Sequence, residues 1–167
     1  CPCGYYGDSQ KPCTCAQGVV TKYQKRISGP MLDRIDIHIE VPRVDYEKLS
    51  GDRLGESSEA IRARVQSARN IQLARFAHSQ PATSRSTDIV CNADMRVGEI
   101  RQFCALQDEG QGLMRAAMSQ MNLSARAYHR ILKLARTIAD IAGSEDIQTA
   151  HLAEALQYRP KLMQGVG

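Results

Sequence analysis

The chain has 167 residues, 43% of them hydrophobic and 24% charged, with a formal net charge of +4. That composition belongs to an ordinary globular protein with one good core or two small ones; no apolar run nears the roughly eighteen residues of a membrane span, and no stretch reads as a charged-then-apolar leader, so the expected location is the cytoplasm. With no Trp and two Phe there is little aromatic surface on which to stack single-stranded bases, and the mild basic balance permits DNA as a partner without demanding it.

The chain opens on Cys1-Pro2-Cys3 with no initiator Met, and it reads as a piece of a longer protein. Four of its six cysteines, Cys1, Cys3, Cys13 and Cys15, fall in the first fifteen residues among the turn formers Gly4, Gly7, Asp8 and Pro12. Two Cys-x-Cys pairs bracketing nine residues leave enough chain to fold back and gather four thiolates around one ion. Zinc suits a closed thiolate shell, and a reduced, metal-free loop is the alternative. Cys91 and Cys104 stand apart and read as packing residues.

A helix is expected from Gln17 to Ile27, ended by Gly29-Pro30. Ile35, Ile37, Ile39 and Val41 then alternate with Asp36, His38 and Glu40, the period of a half-buried strand. Arg34 falls on the turn before that strand; alone, it reads as a surface arginine held by Asp33 or Asp36. Residues 45–60 are loop-like, and Ala60, Ile61, Val65, Ala68 and Ile71 recur at helical spacing toward Phe76, which predicts an exposed, basic helix. The polar run 79–87 reads as a linker.

Four helices are predicted beyond it, at 96–107, 109–121, 124–142 and 148–158, short enough and closely enough connected for a bundle. The third is the clearest: Tyr128, Ile131, Leu132, Ala135, Ile138, Ala139 and Ala142 form one stripe, with Ser124 as N-cap and Gly143 as stop. Arg126 lies in its first turn, off that stripe. There a cation opposes the helix dipole, a misfit that a bound anion would relieve. Arg62, Arg64, Arg69 and Arg75, with Lys22, Lys25 and Arg26, are candidates for phosphate contacts, though for any one of them a solvated face is the plainer reading. No base-reading motif is present.

The Leu32-Asp33-Arg34-Ile35-Asp36 pattern resembles the stretch of AAA+ ATPases that carries the arginine finger, specifically in their Mg-chelatase-like, ComM-type branch, and the likeness runs over nearly the whole chain. The resemblance implies the α/β end of an AAA+ core followed by an all-α lid, mainly helical, with a four-helix C-terminal bundle. The expected parts are residues 1–44 for the core end with its Cys-rich loop, 45–90 for a connecting helix and linker, and 91–167 for the lid.

It further implies that Arg34 is a catalytic arginine finger acting in trans and Arg126 a sensor 2 arginine touching nucleotide in its own subunit. The cysteine set is similar to that of ComM-type proteins and is not expected in true chelatase subunits. The implied whole is a homo-hexameric ring that uses ATP and Mg²⁺, with DNA as partner, no membrane, and branch migration in natural transformation as its work. A chelatase-type or protein-remodelling ATPase, or a non-catalytic zinc-bearing binding module, are the alternatives. The chain contains no Gly-x-x-x-x-Gly-Lys-Ser/Thr loop and no acidic Mg²⁺-binding strand end, so by itself it should not turn over ATP.

Overall fold

Helical spacing accounts for nearly all the regular structure. The computed structural model describes residues 1–8, 10–39, 41, 44, 46, 50–51, 55–77 and 89–159, and among these there are helices and one 3₁₀ turn but no strand. The expected linker, 79–87, lies outside the described residues. The chain divides into two compact units, Cys1–Leu54 and Gly55–Gly167.

In the first unit a loop of turns leads into α1 (Gln17–Gln24) and the single-turn α2 (Gly29–Leu32). Gly29-Pro30 both separates the two helices and opens the second, because the fixed φ of proline suits the first helical turn. Among the described residues the predicted strand does not form. A strand is defined by its ladder, and among the described residues none of 35–39 belongs to one. Ile35, Ile37, Ile39 and Val41, which the alternation assigns to a buried face, are 38%, 48%, 69% and 82% exposed. His38 is half-buried instead, its Nε2 without a hydrogen-bond partner.

The second unit holds α3 (Ser58–Ala77), a 3₁₀ turn (Asn92–Asp94), α4 (Val97–Phe103), α5 (Asp108–Gln120), α6 (Ala125–Ile141) and α7 (Thr149–Gln157). The helices expected beyond residue 96 are thus present, each within a few residues of its predicted ends. Helix α6 is the centre: it packs against α3, α4, α7 and the 3₁₀ turn, while α5 packs on α7. Its stripe supplies Ile131, Leu132, Ala135 and Ala139 to a core completed by Phe76, Met95, Ile100, Cys104, Met114, Ile147, Leu152 and Ala155.

Both ends of α6 close as local chemistry requires. The Ser124 hydroxyl accepts the Ala127 N–H at 3.2 Å, a cap worth about 1 kcal/mol. At the other end Gly143 takes a φ of +68°, letting its N–H reach the Asp140 carbonyl and that of Ser144 reach the Ala139 carbonyl. Helix α3 corrects the sequence reading in part. Its first half is exposed, but Ala68, Gln72 and Phe76 are buried, and Phe76 meets Phe103 edge-to-face at 5.8 Å.

Candidate functional site

Three groups of candidate side chains can be placed: the cysteine loop and Arg34 in the first unit, and Arg126 in the second.

The loop is shaped by its turn formers. Gly4 and Gly7 have φ of +84° and +83°, which admits tight reversals after Cys3 and after Tyr6. The Gly4 N–H reaches the Cys1 carbonyl and the Asp8 N–H that of Tyr5, and the Asp8 carboxylate accepts the N–H groups of Gln10 and Lys11. These reversals return the chain so that Cys13 and Cys15 meet Cys1 and Cys3. All four Sγ atoms lie within 4.8 Å of one another. Cys1 to Cys3 is 3.3 Å, Cys3 to Cys13 is 3.5 Å and Cys13 to Cys1 is 3.6 Å, and the cysteines are free thiols. A tetrahedral zinc with Zn–S of about 2.3 Å needs sulfur edges of about 3.8 Å, so the donor set fits that ion.

The local electrostatics favour the thiolate at Cys3 and oppose it at Cys13. An N–H from Tyr5, helped by the thiols of Cys15 and Cys13 and an N–H from Thr14, outweighs burial and lowers the Cys3 pKa to about 7. The Cys13 thiol is raised: an N–H from Cys15 favours its thiolate, but burial and the neighbouring Cys3 and Cys15 sulfurs prevail. The Tyr6 N–H points at Cys1 Sγ from 3.2 Å, a backbone donor suited to a thiolate ligand.

Arg34 follows α2 on a turn in which its N–H reaches the Met31 carbonyl. Its side chain is exposed, and Nη1 donates to the Pro30 carbonyl at 2.9 Å, satisfying one of the orphan carbonyls at that helix end. One edge of the guanidinium is thus anchored while the group stays at the surface. Arg126 is exposed in the first turn of α6, with no polar partner among the described residues.

Two of the phosphate candidates are committed elsewhere. Arg64 forms a two-pronged pair with Glu56 at 2.7 and 3.1 Å, and Arg75 is drawn into the second unit's interior. There sequence reasoning missed a polar network. Arg75 pairs with both carboxylate oxygens of Asp140 and donates to Asn92 Oδ1 at 2.9 Å. Asn92 Nδ2 donates to Asp140 Oδ2 at 2.7 Å, and Arg136 Nε donates to Asp140 Oδ1 at 3.0 Å. Arg136 also holds the carbonyls of Ser144 and Glu145 at 2.6 and 2.7 Å. One signal was available: Arg136 and Asp140 follow Ala135 and Ala139 by one residue each, so they flank the stripe that enters the core. Cys104 is a core residue, its thiol pushed up to about 11 chiefly by burial.

The family model for the magnesium chelatase subunit ChlI C-terminal region matches residues 55–159, and that for the magnesium chelatase subunit ChlI matches residues 1–49. The chain is 39% identical to the competence protein ComM of Haemophilus influenzae, covering 95% of this chain and 28% of that protein. It is 38% identical to the Escherichia coli protein YifB, covering 95% of this chain and 29% of that one. Against the Salmonella typhimurium YifB the identity is 35%, with the same two shares of 95% and 29%. The chain therefore spans under a third of the length of these relatives.

Proposed function

We propose, since the chain belongs to the magnesium chelatase ChlI family in its ComM-like branch, that it is the lid-bearing part of a ring-forming AAA+ ATPase. Residues 1–44 are the end of the nucleotide-binding core, 45–90 a connecting helix and linker, and 91–167 a four-helix lid. Within a six-subunit ring using ATP and Mg²⁺, Arg34 acts across the interface as the arginine finger and Arg126 as the sensor 2 arginine of its own subunit. A planar guanidinium fork matches the charge that spreads over the γ-phosphate oxygens during phosphoryl transfer.

The observation that carries this reading is Arg126. An exposed arginine without a polar partner among the described residues, in the first turn of a 17-residue helix, puts a cation close in the chain to the helix's own N-terminal N–H groups. An anion placed there satisfies both. Arg34, held at one edge and open at the other, fits the complementary role. Cys1, Cys3, Cys13 and Cys15 hold one structural Zn²⁺, which would organise a loop of turns with few apolar residues.

The motor's work follows the ComM resemblance: ATP-driven DNA branch migration in natural transformation, in the cytoplasm. A chelatase-type or protein-remodelling action is the second reading, favoured by the family models that match this chain. The test is turnover by the intact protein, with and without branched DNA. Arg34→Ala should leave ATP binding nearly intact and cut turnover by roughly 10³ or more. A variant that loses ATP affinity as a monomer contradicts the trans role, and turnover indifferent to DNA favours the second reading.

A further inference from the structure

A groove of about 730 Å³ runs between α4, α5 and the first two turns of α6. Its floor is apolar, built from Ile100, Cys104, Met114 and Leu132, all buried, with Met118 half-buried beside them. Among the described residues its charged lining is of one sign: Arg101 and Arg115 line it together with the imidazole of His129, and no Asp or Glu does. Arg101 and Arg115 are exposed, and neither has a polar partner among the described residues. His129 lies edge-on to Tyr128, ring centroids 5.4 Å apart. The amide of Gln111 is already spent on the Leu106 carbonyl at 3.0 Å.

The arrangement discriminates between kinds of occupant. A pocket for a small molecule aims a few polar groups from its interior at the ligand. Here the buried lining offers apolar atoms and a thiol, and the arginines are its exposed members. An apolar centre holding two Met and one Tyr, with exposed arginines in its lining, has the anatomy of a protein-binding patch, and thioethers adapt to a partner's side chains. The sign of the rim sets the sign of the partner, since like charges facing one another would oppose docking.

We infer that this groove docks an acidic amphipathic helix of a partner protein. Its leucine-like side chains, spaced one turn apart, lie over Met114, Met118 and Leu132, and its flanking carboxylates face Arg101 and Arg115.

The test uses the full chain and a fluorescein-labelled peptide of about sixteen residues, roughly four helical turns. The peptide carries Leu at i, i+3, i+4 and i+7 with Glu elsewhere; one control scrambles this order and another replaces Glu by Lys. Fluorescence anisotropy should show the acidic helix binding about tenfold or more tightly than either control, and weakening as salt rises. Arg101→Glu combined with Arg115→Glu should reduce that affinity by about tenfold or more. Both positions are exposed, and an unchanged circular dichroism spectrum shows the fold retained. Met118→Glu should weaken binding in the same way. Equal binding of the ordered and scrambled acidic peptides overturns the inference, and so does charge reversal without effect. It also fails if the small apolar anion anilinonaphthalene sulfonate occupies the groove and the acidic peptide cannot displace it.

Discussion

Arg75 and Asp140 stand 65 residues apart in the chain and meet as an ion pair whose carboxylate is wholly withdrawn from water. The pair ties the end of α3 to the end of α6. Asp140 also receives Arg136 and Asn92, so one carboxylate orders two guanidiniums, the 3₁₀ turn and, through Arg136, the residues that follow α6.

Removing that carboxylate leaves the buried Arg136 and the largely buried Arg75 without their anion. Asp140→Ala is therefore expected to cost about 3–5 kcal/mol, the scale for breaking one side of a buried pair. Urea unfolding of the chain measures it, and a loss under about 1 kcal/mol would show that the network does not hold α3 against α6.

Metal content is the direct check on the cysteine loop. The purified chain should carry one zinc, and Cys13→Ser with Cys15→Ser should abolish it. Chelation should speed hydrogen exchange in residues 1–16 while α4 to α7 stay protected, because those helices bury their own apolar faces. A double variant that keeps stoichiometric zinc rules out the four-thiolate site.

In the metal-free chain, Cys3 should alkylate with a midpoint near pH 7, against the ordinary thiol value of 9.0. A pKa lowered in the folded loop means that the unfolded loop binds more protons across this window. The contribution to loop stability is therefore complete above about pH 9 and disappears as the pH falls through about 7. Cys104, at about 11 and buried, should stay unreactive until the second unit unfolds. Iodoacetamide labelling followed by peptide mass analysis reads both; a Cys3 midpoint near 9 would show that the Tyr5 N–H does not stabilise the thiolate.

Trans and cis roles separate on mixing. Rings of intact subunits bearing only Arg34→Ala, or only Arg126→Ala, should be inactive, whereas mixed rings should regain part of their turnover. In a mixed ring some sites combine an intact Arg126 with a neighbour's intact Arg34. Absence of recovery in every mixture that still assembles rings would count against the assignment.

What the amino-acid order determined alone is what short-range physics decides. The stripe from Ile131 to Ala139 placed α6, and Ser124 and Gly143 set its ends, because a helix closes hydrogen bonds within its own segment. The spacing of Cys1, Cys3, Cys13 and Cys15 among Gly4, Gly7 and Asp8 made a four-sulfur cluster legible for the same reason: the turns that build it are local. The strand expected at residues 35–41 was not decidable this way, since alternation specifies a face and only a neighbouring chain segment can supply the ladder. The same limit hid Arg75. As a basic residue on a basic helix it looked solvated, and it became an interior cation only because folding brought Asp140 and Asn92 to it from far along the chain, where burial raises the strength of their interaction and the cost of leaving any member unpaired.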